Sequence, residues 1–258
     1  MPTTYLACEG SHDAALLGRF LSHGGFTPIT SRNQIQGGAF RKFAPEGFPD
    51  NMIGRPPEPY FWERSGHIVA VHPVSGDSAL PAALAVVVSQ VRGTLNNIGV
   101  FIDADNLTPA ARMADLWAAL IAKNSIPGFT FPGTPGAISP TPVRCGVYVM
   151  PDNINHGSVE QLLHACAQTS YNDLHQKAGA YLAGIDRTQL TPKEQTRLAK
   201  GSNPQKAHLG VIGSVLRPGS AIANTIRDDR WIDPTTLALP LIAPLRAFLR
   251  DLLNESTI

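Results

Sequence analysis

The chain is poor in cysteine, in net charge and in long apolar runs. Cys8, Cys145 and Cys166 form no CxxC pair, so the sequence suggests neither a zinc site nor a disulfide framework, and the expected compartment is a reducing cytoplasm. With a net charge of +1, no overall field draws the chain to nucleic acid or membrane. The most apolar stretch, Leu80–Val91, is too short to span a bilayer and predicts a buried helix.

Several familiar motifs are also missing. The N-terminus has no basic region followed by an apolar run, so no signal peptide is expected. No GxxxxGK[ST] segment occurs, so any ATP hydrolysis would have to come from a partner. The eight histidines form neither HxH nor HExxH, and we expect each to be structural or exposed. His72 follows a predicted strand and is the histidine best placed to face a cleft.

The sequence does contain an alternation of apolar strands and helices. Continuous apolar strands separated by helices predict an α/β fold, with a parallel sheet covered on both faces. The predicted strands are 4–8, 67–71, 98–102 and 146–150, and the helices between them are 12–23, 80–91 and 108–123.

Two domains are expected from this organisation. Residues 1–170 form the α/β domain, with insertions at about 27–63 and 126–143 that form hairpins, ordered loops or extended arms. Residues 171–258 are predicted to be a helical C-terminal extension packed on it. The candidate helices after residue 156 are 157–170, 174–183, 192–200, 204–215 and 242–253.

Acidic residues follow three of the four predicted strands. Glu9 follows the first, Asp103 and Asp105 follow the third, and Asp152 follows the fourth. Because the carboxyl ends of parallel strands share one edge of the sheet, we expect these side chains to converge there. The i, i+2 spacing of Asp103 and Asp105 can aim both carboxylates at one point. Converging carboxylates predict a site for Mg²⁺ or Mn²⁺.

Two further acids can join this site. Asp13 lies in the first turn of the helix after Glu9, and Glu160 lies inside the helix that follows Asp152. Ordinary structural roles remain open for all of these acids. Glu9 can cap a helix or pair with an arginine, and Asp13 can serve helix-start electrostatics. The DxD pair and Asp152 can form loop turns, and Glu160 can lie on a solvated helix face.

Several of these segments resemble motifs of the Toprim superfamily. Residues 8–10 (CEG) with Asp13 are similar to its first motif, an acid and a glycine after strand one, and 101–105 (FIDAD) is similar to its DxD motif. The segment 149–160 resembles small stand-alone bacterial and archaeal Toprim-like proteins of unassigned function. The carboxylate pattern is also similar to that of the nuclease half of the OLD (overcoming lysogenisation defect) family.

The resemblance implies a Toprim/Rossmann-like fold with metal-dependent phosphodiester chemistry. OLD-type nucleases also use a downstream lysine that can stabilise transition-state charge, and Lys206 is the candidate here. Lys206 lies in a basic segment, 187–217, which is either a phosphate-binding face or a solvated helical face. The resemblance makes six acids metal ligands or supports for them: Glu9, Asp13, Asp103, Asp105, Asp152 and Glu160.

The favoured hypothesis is therefore a Mg²⁺- or Mn²⁺-dependent nuclease or related phosphotransfer enzyme that acts on DNA or RNA. The alternative is a non-catalytic Toprim-fold module that docks on a partner, such as an ATPase in a phage-defence pair, and the near-neutral charge is consistent with it. A nucleotide-binding enzyme is disfavoured, because the first strand-to-helix turn places acids where a phosphate would lie.

Overall fold

The computed structural model describes residues 2–35, 39–42, 59–91, 93–122, 129–140 and 143–255. Within these ranges a seven-stranded sheet carries helices on both faces, which confirms the predicted α/β class. The strands are β1 (Thr3–Cys8), β2 (Thr27–Pro28), β3 (Tyr60–Arg64), β4 (His67–Pro73), β5 (Asn97–Asp103), β6 (Ile138–Ser139) and β7 (Arg144–Met150).

The helices agree with the apolar periodicity of the sequence to within about two residues at each end. The helix at residues 222–228 was not predicted. It has only about two turns, which is too short for an apolar helical period to be recognised in the sequence. No helix in the described part of the chain is long and apolar enough to cross a membrane. The α-helices are α1 (Ser11–His23), α2 (Leu80–Val91), α3 (Pro109–Ala122), α4 (Val159–Ser170), α5 (Asn172–Ala183), α6 (Pro192–Ala199), α7 (Asn203–Leu216), α8 (Ile222–Asp228) and α9 (Ala243–Leu253).

The strand order across the sheet is β2-β3-β4-β1-β5-β7-β6. The central strands β4, β1, β5 and β7 run parallel, as predicted, whereas β2, β3 and β6 pair antiparallel at the two edges. These edge strands come from the predicted insertions. An insertion can add such strands without a further helix, because antiparallel neighbours can be joined by a short turn. The parts of the insertions at 36–38, 43–58, 123–128 and 141–142 lie outside the described residues.

The sheet separates two apolar cores. Alternate side chains of β1 face opposite sides, so Leu6 and Cys8 pack with α1 and the C-terminal helices, whereas Tyr5 and Ala7 pack with α2 and α3. All four are buried, which explains why the strand reads as a continuous apolar run. Trp231, near the end of the chain, is fully buried in the core on the α1 side.

The carboxyl ends of the central strands meet at one edge of the sheet. Cys8 at the end of β1 is level with Phe101 of β5, and Asp103 is level with Met150 at the end of β7. Helices α1 and α4 begin shortly after β1 and β7, so their N-termini lie at the same edge. Backbone amides and strand-end acids are therefore brought together here.

Candidate active site

Four carboxylates converge at this edge and form what we call the acidic cleft: Glu9, Asp13, Asp103 and Glu160. The cleft has a volume of about 370 Å³, and His12 and Lys206 also line it. Asp13, Asp103 and Glu160 are only 3%, 8% and 1% exposed. Because these carboxylates have so little access to water, they must be stabilised by protons, hydrogen-bond donors or cations next to them.

Glu9 is held by an arginine and by the neighbouring strand. Its Oε1 accepts a hydrogen bond from the backbone N–H of Asp103 at 3.0 Å and from Arg112 at 2.9 Å. Arg112 Nε also donates to the backbone oxygen of Asp103 at 2.8 Å. Arg112 can do this because it lies in the first turn of α3, directly after the strand end. It gives Glu9 an ion-pair partner and ties the end of β1 to the end of β5.

Asp13 has one satisfied oxygen and one unsatisfied oxygen. Its Oδ2 accepts the backbone N–H of Gly10 at 2.9 Å, which is the helix-start role that the sequence allowed. Its Oδ1 is buried and has no hydrogen-bond partner among the described residues. Burial, and then the negative charges of Glu9 and Glu160, raise the pKa of Asp13 to about 8. A proton or a cation is needed to satisfy this oxygen.

Asp103 joins β5 to the start of α4. Its Oδ1 accepts the backbone N–H of Val159 at 2.9 Å, at the positive end of the helix dipole. Burial, followed by the charges of Asp13 and Glu9, nevertheless raises the pKa of Asp103 well above its ordinary value. Two neighbouring carboxyls with raised pKa values show that negative charge is crowded in the cleft.

Glu160, unlike Asp13 and Asp103, is stabilised as an anion. Ser158 Oγ donates to its Oε2 at 2.7 Å, and His12 Nδ1 lies 3.3 Å from its Oε1. Lys206 Nζ in α7 is 3.8 Å from the same Oε1. Burial opposes ionisation, but these hydrogen bonds and the lysine charge outweigh it and lower the pKa of Glu160. The idea that Glu160 lies on a solvated helix face is therefore wrong.

The predicted lysine lies at the rim of this cleft. The Lys206 side chain is 47% exposed, so its ammonium group reaches solvent as well as Glu160. The sequence placed Lys206 in the site only through the resemblance to OLD-type nucleases. In the structure, α7 packs against α4 and brings Lys206 next to Glu160.

The structure does not bring the remaining two predicted acids into the acidic cleft. Asp105 adopts a left-handed φ of 52°, its N–H donates to Gly157 O at 2.7 Å, and its side chain is exposed. The prediction that Asp103 and Asp105 point to one place requires an extended backbone, but the strand ends at Asp103. Asp152 Oδ1 instead accepts the N–H groups of Ile154 and Asn155. Partial burial opposes ionisation of Asp152, but the Asn155 and Ile154 bonds lower its pKa, so it serves the loop turn.

Sequence reasoning missed three residues that hold the cleft together. Each of them lies at the start of a helix that follows a central strand: Arg112, Ser158 and His12. Their position after a predicted strand end is the sequence feature that could have identified them. His72, by contrast, does not line the cleft. Its Nδ1 is hydrogen-bonded to Tyr5 Oη at 2.7 Å.

The fold and site together define an α/β protein with a largely parallel sheet and an acidic cleft at its carboxyl edge. The chain belongs to the family described as Protein of unknown function (DUF3226), whose model matches residues 3–254. No curated protein matches this sequence. Among solved structures, the chain is similar to the crystal structure of hypothetical protein PH0156 from Pyrococcus horikoshii OT3. The two share 16% identity and a TM-score of 0.49, over 98% of this chain and 95% of that chain.

Proposed function

We propose that the chain is a Mg²⁺- or Mn²⁺-dependent phosphodiester hydrolase or phosphotransfer enzyme of the Toprim type, acting on DNA or RNA. The observation that carries the proposal is the convergence of four carboxylates in one cleft, where Asp13 Oδ1 is a buried oxygen with no hydrogen-bond partner in the described part of the chain. A divalent cation would satisfy that oxygen and offset the crowded negative charge at once. The resemblance of residues 8–10 and 101–105 to Toprim motifs supports the same conclusion.

The donor set fits a hard cation. Oxygen ligands from carboxylates suit Mg²⁺ and Mn²⁺, which also keep several waters. Within the cleft, four carboxylates face two cationic side chains, Arg112 and Lys206, which leaves two negative charges when all six groups are ionised. Asp13, Asp103 and Glu160 would hold the cation, with Glu9 as a ligand or a support.

Each side chain around the cation has a separate task in this proposal. When bound, the cation supplies stabilisation of charge on the phosphodiester and lowers the pKa of water. Arg112 holds Glu9 against the strand end, and Ser158 keeps Glu160 ionised. Lys206 places a half-exposed positive charge where a substrate phosphate can contact it. His12, 3.3 Å from Glu160, can carry a proton at the rim.

A nucleic-acid substrate is supported by exposed positive charge on and around α6, which packs against the helix α7 that carries Lys206. Net charge is only +1, so backbone contacts must come from a local patch. The basic side chains that precede Lys206 supply one: Arg187, Lys193, Arg197 and Lys200 are all exposed.

The decisive experiment compares Asp103→Asn with Asp105→Asn, two isosteric changes two residues apart. Labelled single-stranded DNA, duplex DNA and RNA are incubated with each variant in Mn²⁺, and Mn²⁺ affinity is measured by calorimetry. We expect Asp103→Asn to lower the cleavage rate on the order of 100-fold or more. Asp105→Asn is expected to stay within about threefold of the parent, because its side chain does not line the cleft. Equal rates for parent and Asp103→Asn would overturn the assignment.

A non-catalytic scaffold that works with an ATPase or another partner is the second candidate. It is favoured by one specific contact, because Arg112 already gives Glu9 an internal counter-ion. The same calorimetry separates the two functions. Mn²⁺ binding that depends on Asp103 supports the enzyme, whereas no binding with a dissociation constant below about 1 mM supports the scaffold.

A further inference from the structure

Three histidines meet in the helical layer, away from the sheet edge. His164 lies on α4, His175 on α5 and His208 on α7, and we call them the histidine cluster. One ring nitrogen from each histidine lies within 4.8 Å of the other two. The His164 and His208 ring centroids are 4.7 Å apart, and those of His175 and His208 are 4.4 Å apart. Each side chain is partly buried, so the cluster remains accessible to small solutes.

Backbone carbonyls determine which ring nitrogens carry protons. His164 Nε2 lies 3.3 Å from the oxygen of Gln205, and His208 Nε2 lies 2.8 Å from the oxygen of His175. A carbonyl oxygen can only accept, so both Nε2 atoms must donate. In the neutral rings, Nδ1 of His164 and Nδ1 of His208 are therefore lone-pair donors to a metal. A histidine that ligates a metal commonly has this backbone bond on its other nitrogen.

The third ring completes the set. His175 Nε2 lies 3.1 Å from His164 Nδ1, so the two rings share a proton between potential ligand atoms. Nitrogen ligands in a tetrahedral Zn²⁺ site are separated by about 3.4 Å, given Zn–N bonds of about 2.0–2.1 Å. The ring nitrogens, which lie within 4.8 Å of one another, must approach by at most about 1.4 Å to reach that geometry.

The local electrostatics favour neutral imidazoles, which are the form that binds metal. Burial, and the positive charge that neighbouring histidines would carry, lower the pKa of both His164 and His175. At neutral pH these rings do not have to release a proton before they bind.

We propose that His164, His175 and His208 form a second metal site, specific for a borderline divalent transition metal of the Zn²⁺ class and separate from the acidic cleft. Imidazole nitrogens suit Zn²⁺, Co²⁺ and Ni²⁺, whereas oxygen ligands suit Mg²⁺ and Mn²⁺. Three protein ligands leave one tetrahedral position for water or a small ligand.

The site also has a structural consequence for the cleft. Glu160 precedes His164 by one turn of α4, and Lys206 precedes His208 by two residues on α7. A metal that joins the three rings would fix α4 against α7. It would therefore fix the distance between Glu160 and Lys206 across the cleft.

The test uses the full chain without a histidine tag, stripped of metal and titrated with Zn²⁺ by calorimetry and with Co²⁺ by visible absorption. We expect one tightly bound Zn²⁺ per chain and the Co²⁺ spectrum typical of tetrahedral coordination, with any weaker Zn²⁺ binding attributed to the carboxylates of the cleft. His175→Ala should lower Zn²⁺ affinity by at least about 100-fold, since even loss of a hydrogen bond behind a ligand has an effect of that order. His156→Ala is the matched control, because His156 is exposed and outside the cluster.

Two further measurements keep the outcome clear. His208→Gln provides a second ligand variant, and thermal melts in chelator show that each variant is folded. Asp103→Asn should keep the one tightly bound Zn²⁺, and His175→Ala should keep Mn²⁺ binding, so failure here is distinguishable from failure of the proposed enzyme. Binding by the parent weaker than about 1 mM would overturn the histidine site. Unchanged affinity in both folded ligand variants would do the same.

Discussion

The acidic cleft and the histidine cluster share helices α4 and α7 but are built in different ways. The cleft is anchored to the sheet, because Glu9 accepts the N–H of Asp103 and Asp103 accepts the N–H of Val159. The histidine cluster contains no strand residue. Its neutral rings can hydrogen-bond and stack without repulsion, whereas carboxylates brought equally close repel one another. In the absence of a cation, the cleft therefore lowers the stability of the fold and the cluster does not.

The largest expected effect is a pH dependence that comes from the cleft. Asp13 has a pKa near 8 in the folded chain against about 3.8 when unfolded, so the folded chain binds the extra proton. The contribution of Asp13 to stability is therefore full below its unfolded pKa and is lost as pH rises through the window between these values. Urea unfolding without metal should show a loss of about 4 kcal/mol between about pH 5 and pH 8, at about 1.4 kcal/mol per pH unit with a shallower slope near pH 8.

Asp13→Asn tests the source of this slope. Asparagine keeps an oxygen for the N–H of Gly10 and cannot ionise, so the slope should become shallower. Mn²⁺ should stabilise the parent more at pH 8 than at pH 5, because protons compete with the cation for the same oxygens. A parent and a variant with the same slope would show that Asp13 is not the responsible group.

The next effect concerns the positive rim of the cleft. Lys206→Met removes the charge and keeps most of the side-chain length, so the cleavage rate should fall by about tenfold through weaker charge stabilisation. Mn²⁺ affinity should stay equal or improve, since Glu160 loses a competing cation 3.8 Å away. Lys177→Met is the matched control, because Lys177 is an exposed lysine outside both the cleft and the basic segment 187–217. Similar rate losses in both variants would point to general substrate attraction instead.

The smallest effect separates Asp152 from the cleft. Asp152→Ala removes the acceptor for the N–H groups of Ile154 and Asn155, and should reduce stability by about 1 kcal/mol at neutral pH. Asp173→Ala, which breaks an exposed i, i+4 pair with Lys177, should lose less than about 0.5 kcal/mol. Both losses are measured by urea unfolding, with Mn²⁺ affinity unchanged. A tenfold loss of Mn²⁺ affinity in Asp152→Ala would return this residue to the ligand set.

The sequence was sufficient to place the four central strands, and to place Glu9 and Asp103 at the ends of two of them. Glu9 and Asp103 meet because β1 and β5 are parallel neighbours, and the apolar runs predict such a pairing. Asp105 could not be excluded in the same way. Its position depends on a left-handed residue just beyond the strand end, and an aspartate in that conformation has no distinct sequence pattern.

The histidine cluster was beyond sequence reasoning for a different reason. His164 and His175 are 11 residues apart, and His175 and His208 are 33 apart, on three separate helices. Neither spacing belongs to a local motif, because the contacts depend on how whole helices dock. The expectation that the histidines are merely structural or exposed rested on motif spacing alone, and it gave no weight to packing.

In helix α4, the number of residues between the functional side chains determines whether they reach their sites. Val159, Glu160 and His164 lie on one continuous helix that serves the strand end, the acidic cleft and the histidine cluster in turn. One inserted residue between Glu160 and His164 would rotate the second about 100° and move it about 1.5 Å along the axis. Substitutions on the outer face of α4 should therefore be tolerated better than an insertion or deletion within it.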